Sequence, residues 1–195
     1  MNAIELTNVT KIYEKTHLGR KKTTKGVEGL NLTIAKGEVY GLLGLNGSGK
    51  TTTIKMILGL LYPTKGCVNV LGRQMPDMEV LKKIGYLPEA AYLNKFLTGR
   101  ETVELFLRLS LKENADIKRV VDDTLEKVGM KRFADTRLSE YSKGMLQRIS
   151  IAQALSHDPE LLIFDEPITG LDPLALKEIR QLITWLKSNG KLSLI

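Results

Sequence analysis

The sequence predicts an α/β fold with a mostly parallel sheet. Short apolar runs alternate with helix-length segments at both ends of the chain, and strands that alternate with helices cross over and pair in parallel. A glycine-rich turn joins the apolar run Val39–Leu43 to a helix-like segment starting at Lys50, a strand–loop–helix unit of such sheets. Residues 88–149 break the alternation. They read as consecutive helices and predict a helical subdomain inserted between residues 1–87 and 150–195.

The elements follow in order. Ile4–Val9 and Leu30–Ile34 alternate apolar and polar residues, the period of a half-buried strand. Residues 14–26 between them read as a solvated loop with five basic residues and one acid. Lys50–Leu60 is helical, and Val68–Leu71 and Ile84–Leu87 are short strands. Thr98 and Glu101 have capping-box spacing, for a helix running to about Ser110. Ala115–Val128 is a second helix, with Gly129 at its C′ position. A third runs from Ser142 to about Ser156. Leu161–Phe164 is a buried strand. Asp172 caps a helix with Pro173 at its first position, where a missing N–H costs nothing. Leu174, Ile179, Leu182, Ile183 and Leu186 line one face of that helix, Gly190 ends it, and Leu192–Ile195 begins another strand.

Composition narrows the class. With 43% hydrophobic and 26% charged residues, the 195-residue chain is neither disordered nor fibrous. One cysteine, Cys67, excludes a disulfide framework and fits a reducing compartment. The opening MNAIELTNVTK has no apolar core and predicts no signal peptide, and no uncharged stretch is long enough to cross a bilayer. The net charge of +7 suits an acidic ligand, nucleic acid or an anionic membrane. Residues 14–26 hold +4 of it, five basic less one acidic, which weakens the case for a nucleic-acid groove.

Gly44-Leu45-Asn46-Gly47-Ser48-Gly49-Lys50-Thr51 matches G-x-x-x-x-G-K-[ST] between a predicted strand and a predicted helix. Glycines let the backbone curl around an anion, and the helix N-terminus adds partial positive charge. Lys50 can reach β- and γ-phosphates, and the Thr51 hydroxyl can ligate Mg²⁺. Asp165 and Glu166 follow the strand Leu161–Phe164, at the end where α/β sheets bind ligands. Asp165 is the expected Mg²⁺ holder and Glu166 the base for an attacking water.

The segment Leu138-Ser139-Glu140-Tyr141-Ser142-Lys143-Gly144-Met145-Leu146-Gln147-Arg148 resembles the signature motif of ABC-type ATPases. Thr169-Gly170-Leu171-Asp172 looks like their D-loop, and Tyr13 stands where their adenine-stacking aromatic does, with Val27 able to pack beside it. The wording of Ile84–Glu89 and of Tyr141–Met145 is most similar to ATPase subunits of bacterial ABC exporters. The resemblance implies a P-loop NTPase (RecA-like) core with an antiparallel β subdomain, besides the helical insertion. It implies ATP and Mg²⁺, with Asn46, Gly47, Ser48, Gly49, Lys50, Thr51 and Thr52 on the phosphates, and Thr51, Asp165 and Glu89 on the metal. It also implies head-to-tail pairing with a second nucleotide-binding domain, in a homo- or heterodimer. There Ser142, Gly144 and Asp172 face the partner's nucleotide. Its partners would be transmembrane permease subunits, with the chain cytoplasmic and peripheral on the inner face of the cell membrane. No nucleic acid is expected. A non-transport ABC ATPase acting on DNA or ribosomes is the alternative; the charge permits it, but long heptad arms and a second nucleotide domain are missing.

Three features depart from the family pattern. Glu89 replaces the usual Gln, residues 14–26 form a longer link than usual, and the chain stops before the family's switch histidine, with only His17, in the basic link, and His157, expected at the surface, present. The expectation is a truncated chain that binds ATP and hydrolyses it poorly. The apolar run Ala90–Leu93 with Phe96 is expected either inside the helical subdomain or on the permease.

Overall fold

The structure, a computed structural model, describes residues 2–17, 20–90, 92–110, 116–167, 171–188 and 192–194, without the side chains of 15–17, 20–22 and 192–194. It divides into two compact units, Met1–Leu81 and Lys82–Ile195.

The first unit holds a four-stranded antiparallel sheet in the order β2-β1-β4-β5. The strands are β1 (Asn2–His17), β2 (Arg20–Ala35), β4 (Lys65–Val70) and β5 (Arg73–Gln74); the short β3 (Val39–Tyr40) leads toward the glycine-rich loop. Alternating residues of the sheet are buried, among them Ile4, Leu6, Ile34, Val68 and Val70. Helix α1 (Lys50–Ile57) packs on β4 and β2 and buries Ile54, Met56 and Ile57. It stops there, short of Leu60, because Gly59 turns to φ +66. A short α2 (Met78–Leu81) closes the unit.

Residues 14–26 correct the expected loop. Outside Leu18 and Gly19, which are not described, they continue β1 and β2 as a hairpin, paired as far as His17 with Arg20. Beyond Tyr13 the apolar alternation ends, so nothing in the pattern marked these residues as strand. The solvated part of the reading holds for Thr23, Thr24 and Lys25, which are exposed.

In the second unit β6 (Ile84–Leu87), β7 (Leu161–Phe164) and β8 (Leu192–Leu194) form a parallel sheet with β7 in the middle. All four β7 side chains are buried, as a central strand covered on both faces requires. Helices α3 (Gly99–Leu109), α4 (Ile117–Lys127) and α5 (Lys143–Leu155) share one apolar core with β6, β7 and α6 (Pro173–Ser188). The capping box is formed in full. Thr98 Oγ1 accepts from the Glu101 N–H at 3.2 Å, and Glu101 Oε2 accepts from the Thr98 N–H at 2.8 Å. Asp116 caps α4, and Gly129 follows it at φ +69.

Two further expectations change. Leu174 is 67% exposed, and Ala175 takes its place on the buried face of α6. The helical period puts Ala175, not Leu174, on the face of Ile179, Leu182 and Leu186. His157 is half-buried rather than a plain surface residue, with its ring nitrogen 3.1 Å from the Ile84 carbonyl oxygen. The expected stop at Gly190 lies outside the described residues, and the last described strand ends at Leu194. Among the described residues no helix is long and apolar enough to cross a membrane.

Candidate functional site

The glycine-rich loop closes onto α1 in the first unit. Gly49 caps the helix at φ +100, and Gly47 sits at φ +82, conformations that residues with a Cβ avoid. A Cβ at Gly44 would stand 2.6 Å from Ser48 Oγ, so the loop is drawn tight at its base. The Ser48 N–H donates to the Leu45 carbonyl at 3.1 Å. Lys50 arches back over the loop, its Nζ donating to the Gly44 and Leu45 carbonyls at 2.7 and 3.2 Å. Asn46, Gly47, Ser48 and Thr51 are exposed, and Thr52 is half-buried. The result is an exposed cationic loop at a helix N-terminus, the arrangement that binds phosphate.

Tyr13 and Val27 stand beside this loop. The Tyr13 hydroxyl is 3.1 Å from Thr52 Oγ1, and a Cβ at Gly49 would lie 2.8 Å from Val27 Cγ2. The two residues foreseen for the nucleobase are thus brought to the phosphate loop's own helix. Lys11 Nζ lies 5.7 Å from the centre of the Tyr13 ring, within cation–π range.

In the second unit β6 and β7 run in parallel and in register, Leu87 opposite Phe164, so Glu89 and the Asp165–Glu166 pair leave the sheet at the same end. Asp165 is 4% exposed, and its N–H donates to the Leu87 carbonyl at 2.9 Å. Glu166 is half-buried at φ +53, a left-handed conformation that costs a non-glycine residue about 1 kcal/mol or more. Glu89 is exposed. Tyr86, on β6, senses both acids: burial pushes its phenol up, and the charges of Asp165 and Glu89 add to the shift.

Ser142 caps α5, its Oγ accepting from the Met145 N–H at 3.3 Å. Gly144 lies close to α6, where a Cβ would approach Ala175 Cβ to 3.2 Å. Gln147, one turn on, donates from Nε2 to the Pro167 carbonyl at 2.7 Å, which ties this helix to the turn after Glu166. Asp172 caps α6, its Oδ1 accepting from the N–H groups of Leu174 and Ala175 at 3.0 and 2.9 Å. Thr169 and Gly170 of the expected D-loop lie outside the described residues. Gly26, Tyr86 and Gln147 were not foreseen. Gly26 lay in the stretch read as a loop, where a glycine carries no signal; Tyr86 and Gln147 lay inside quoted segments, but nothing in their spacing singled them out.

A phosphate loop opening on a helix, with a parallel sheet delivering two carboxylates from a buried strand, defines the class of P-loop NTPases. Comparison with known proteins gives the family. Residues 27–169 match the family model for the ABC transporter. The chain is 38% identical over 193 residues to the bacitracin transport ATP-binding protein BcrA of Bacillus licheniformis, covering 98% of this chain and 60% of that protein. It is 40% identical over 195 residues to the Nod factor export ATP-binding protein I of Rhizobium meliloti, covering 99% and 56%. The ATP-binding cassette MJ0796, solved as a post-hydrolysis dimer with ADP and Pi, superposes with a TM-score of 0.86 at 29% identity, covering 98% of this chain and 86% of that one. The chain belongs to the ABC transporter family, as an ATP-binding cassette. It spans 57%, 54% and 60% of the length of three curated relatives that it matches almost from end to end.

Proposed function

We propose that this cassette binds ATP with Mg²⁺, pairs head to tail with a second nucleotide-binding domain, and drives transmembrane permease subunits from the cytoplasmic face of the cell membrane. Tyr13 stacks on the adenine with Val27 beside it, and residues Asn46 to Thr52 hold the phosphates, Lys50 at the β and γ groups. Thr51, Asp165 and Glu89 offer oxygen donors only, the chemistry that Mg²⁺ takes. When bound, the ion neutralises charge on the phosphate oxygens. Glu166 removes a proton from water as the water oxygen bonds to the γ-phosphorus; the bond to the bridging oxygen breaks, and ADP leaves. Ser142 and Gly144 at the start of α5, with Asp172, face the partner's nucleotide. Residues 88–149 form the helical subdomain, and 1–87 with 150–195 the core and β subdomain.

The observation that carries the reading is the loop itself, with Lys50 folded over its mouth and Tyr13 bonded to its helix. Tyr92 and Phe96 support the permease contact, being 97% and 81% exposed rather than buried in the helical subdomain. The names of the relatives, bacitracin transport and Nod factor export, fit an exporter.

Lys50→Ala tests the reading. A charge-assisted contact contributes about 1.5–3 kcal/mol, so MgATP affinity should fall about ten- to a hundredfold by titration calorimetry. Unchanged affinity would remove the phosphate-loop assignment.

A further inference from the structure

We infer that Gly26 is a positioning residue for the nucleobase. It is the backbone seat that holds the Tyr13 ring at a fixed place against the phosphate loop. The inference rests on the proposed stacking role of Tyr13.

The register of the β1–β2 hairpin singles Gly26 out. Lys11 faces Val27, and the next residue, Ile12, faces Lys25. Gly26 is therefore an extra residue on β2, a bulge that re-aims its neighbours. A Cβ placed on Gly26 would lie 2.7 Å from Tyr13 Cε2 and 3.3 Å from Thr52 Cγ2. The bare Cα thus forms the floor on which the ring edge rests. The Gly26 carbonyl turns the other way in the same block: a Cβ on Gly49 would meet it at 2.4 Å. One residue is in contact with the base-stacking ring and with the last glycine of the phosphate loop. The 3.1 Å contact between the Tyr13 and Thr52 hydroxyls closes the triangle.

Stacking gains free energy only when the ring lies parallel to the base, at the distance from the phosphates that the nucleoside spans. Rigid seating of Tyr13 fixes both. The obstacle to a side chain at Gly26 is the ring edge, the part of the block that can swing. Gly26→Ala therefore displaces the ring, breaks its hydroxyl contact with Thr52, and leaves the loop in place.

The test compares MgATP with magnesium tripolyphosphate, which has no base, by titration calorimetry on the 195-residue chain. Gly26→Ala should weaken MgATP about tenfold, the scale of one base-stacking contact. Its affinity for magnesium tripolyphosphate should change by less than about twofold. In a Tyr13→Ala background the ring is gone, and Gly26→Ala should add less than about twofold to the loss of MgATP affinity. Equal weakening of both ligands, full additivity in the double variant, or no change in MgATP affinity overturns the inference. Thermal melting covers a single variant that does not fold. A double variant that melts with Tyr13→Ala then supports the contact, and one that also fails to fold overturns it. Tyr13→Ala with unchanged MgATP affinity overturns the stacking reading itself. Loss in Tyr13→Ala without loss in Gly26→Ala overturns the seat alone.

Discussion

Gly85→Ala should be among the most damaging small changes to the second unit. Gly85 lies in β6, directly under the last turn of α5, and a Cβ there would stand 2.1 Å from the Ala154 carbonyl oxygen. It would also meet Leu162 Cδ2 at 2.7 Å and Pro159 Cγ at 3.0 Å. Real Cβ atoms essentially never come within 3.0 Å, so the shortfall against Ala154 is almost 1 Å. That obstacle is backbone and cannot swing aside. The helix must slide on the strand, or β6 must shift against β7. Overpacking costs about 1–3 kcal/mol, and a backbone obstacle puts this site at the upper end, ~3 kcal/mol. With a slope of about 2 kcal/mol per molar urea, the midpoint should fall by roughly 1.5 M. Trp185, the single tryptophan, lies on α6 of the same unit and reports the transition by fluorescence. Gly41→Ala is the control, since nothing lies within 4 Å of a Cβ there, and it should stay within about 0.5 kcal/mol of wild type. A Gly85→Ala chain with an unchanged midpoint would refute the claim that close β6–α5 contact sets this position. The consequence reaches the candidate site, because the Leu87 carbonyl that receives the Asp165 N–H is two residues along the same strand.

Three more outcomes are expected. Glu166→Gln should keep MgATP binding and lower phosphate release by about 10²–10⁴-fold, the usual contribution of a general base; equal turnover would exclude Glu166 from that role. Tyr92→Asp with Phe96→Asp should abolish co-purification with the permease subunit while MgATP binding persists, and retained co-purification would remove those residues from the contact. Arg100 bonds Asp122 of α4 and, at 2.8 Å, Asp135, and its guanidinium holds the Asp122 carboxyl below the usual range. A depressed carboxyl stabilises the fold above its unfolded pKa and loses that contribution as pH falls through the folded value. The melting-temperature gap between wild type and Arg100→Met should therefore be wide at about pH 7 and narrow below about pH 3. A gap independent of pH would show that Arg100 acts through packing alone.

Much of the fold was legible because its signals are local. The Thr98–Glu101 box, the caps Ser142 and Asp172, and the C′ glycine at 129 each sit within one turn of the group they satisfy, whereas the cap Asp116 went unread. The run of β7 stood out because a strand covered on both faces needs every residue apolar. The hairpin beyond Tyr13 was invisible for the opposite reason. It has no apolar face, and its pairing is backbone hydrogen bonding, which any side chains permit. Leu174 misled because it is apolar, whereas the helical period itself runs from Ala175 to Ile179, Leu182 and Leu186 and leaves Leu174 off the buried face.

The candidate site divides in the same way. The phosphate loop, Asp165 and Glu166 stood out as candidates because glycines, a lysine and strand-end carboxylates have few other uses at that spacing. Glu166 was readable as a residue but not in its left-handed backbone, which no neighbouring side chain announces.

By itself the sequence picked out the candidate phosphate loop and the starts of several helices, since those are properties of residues a few positions apart. Only the tertiary structure decided that Tyr13 rests on Gly26 and bonds Thr52, that Gln147 reaches Pro167, and that Tyr92 and Phe96 face outward. Each depends on chain segments brought together across many residues. Their contact distances are set by backbone packing and bulges, which leave almost no mark on the order of amino acids.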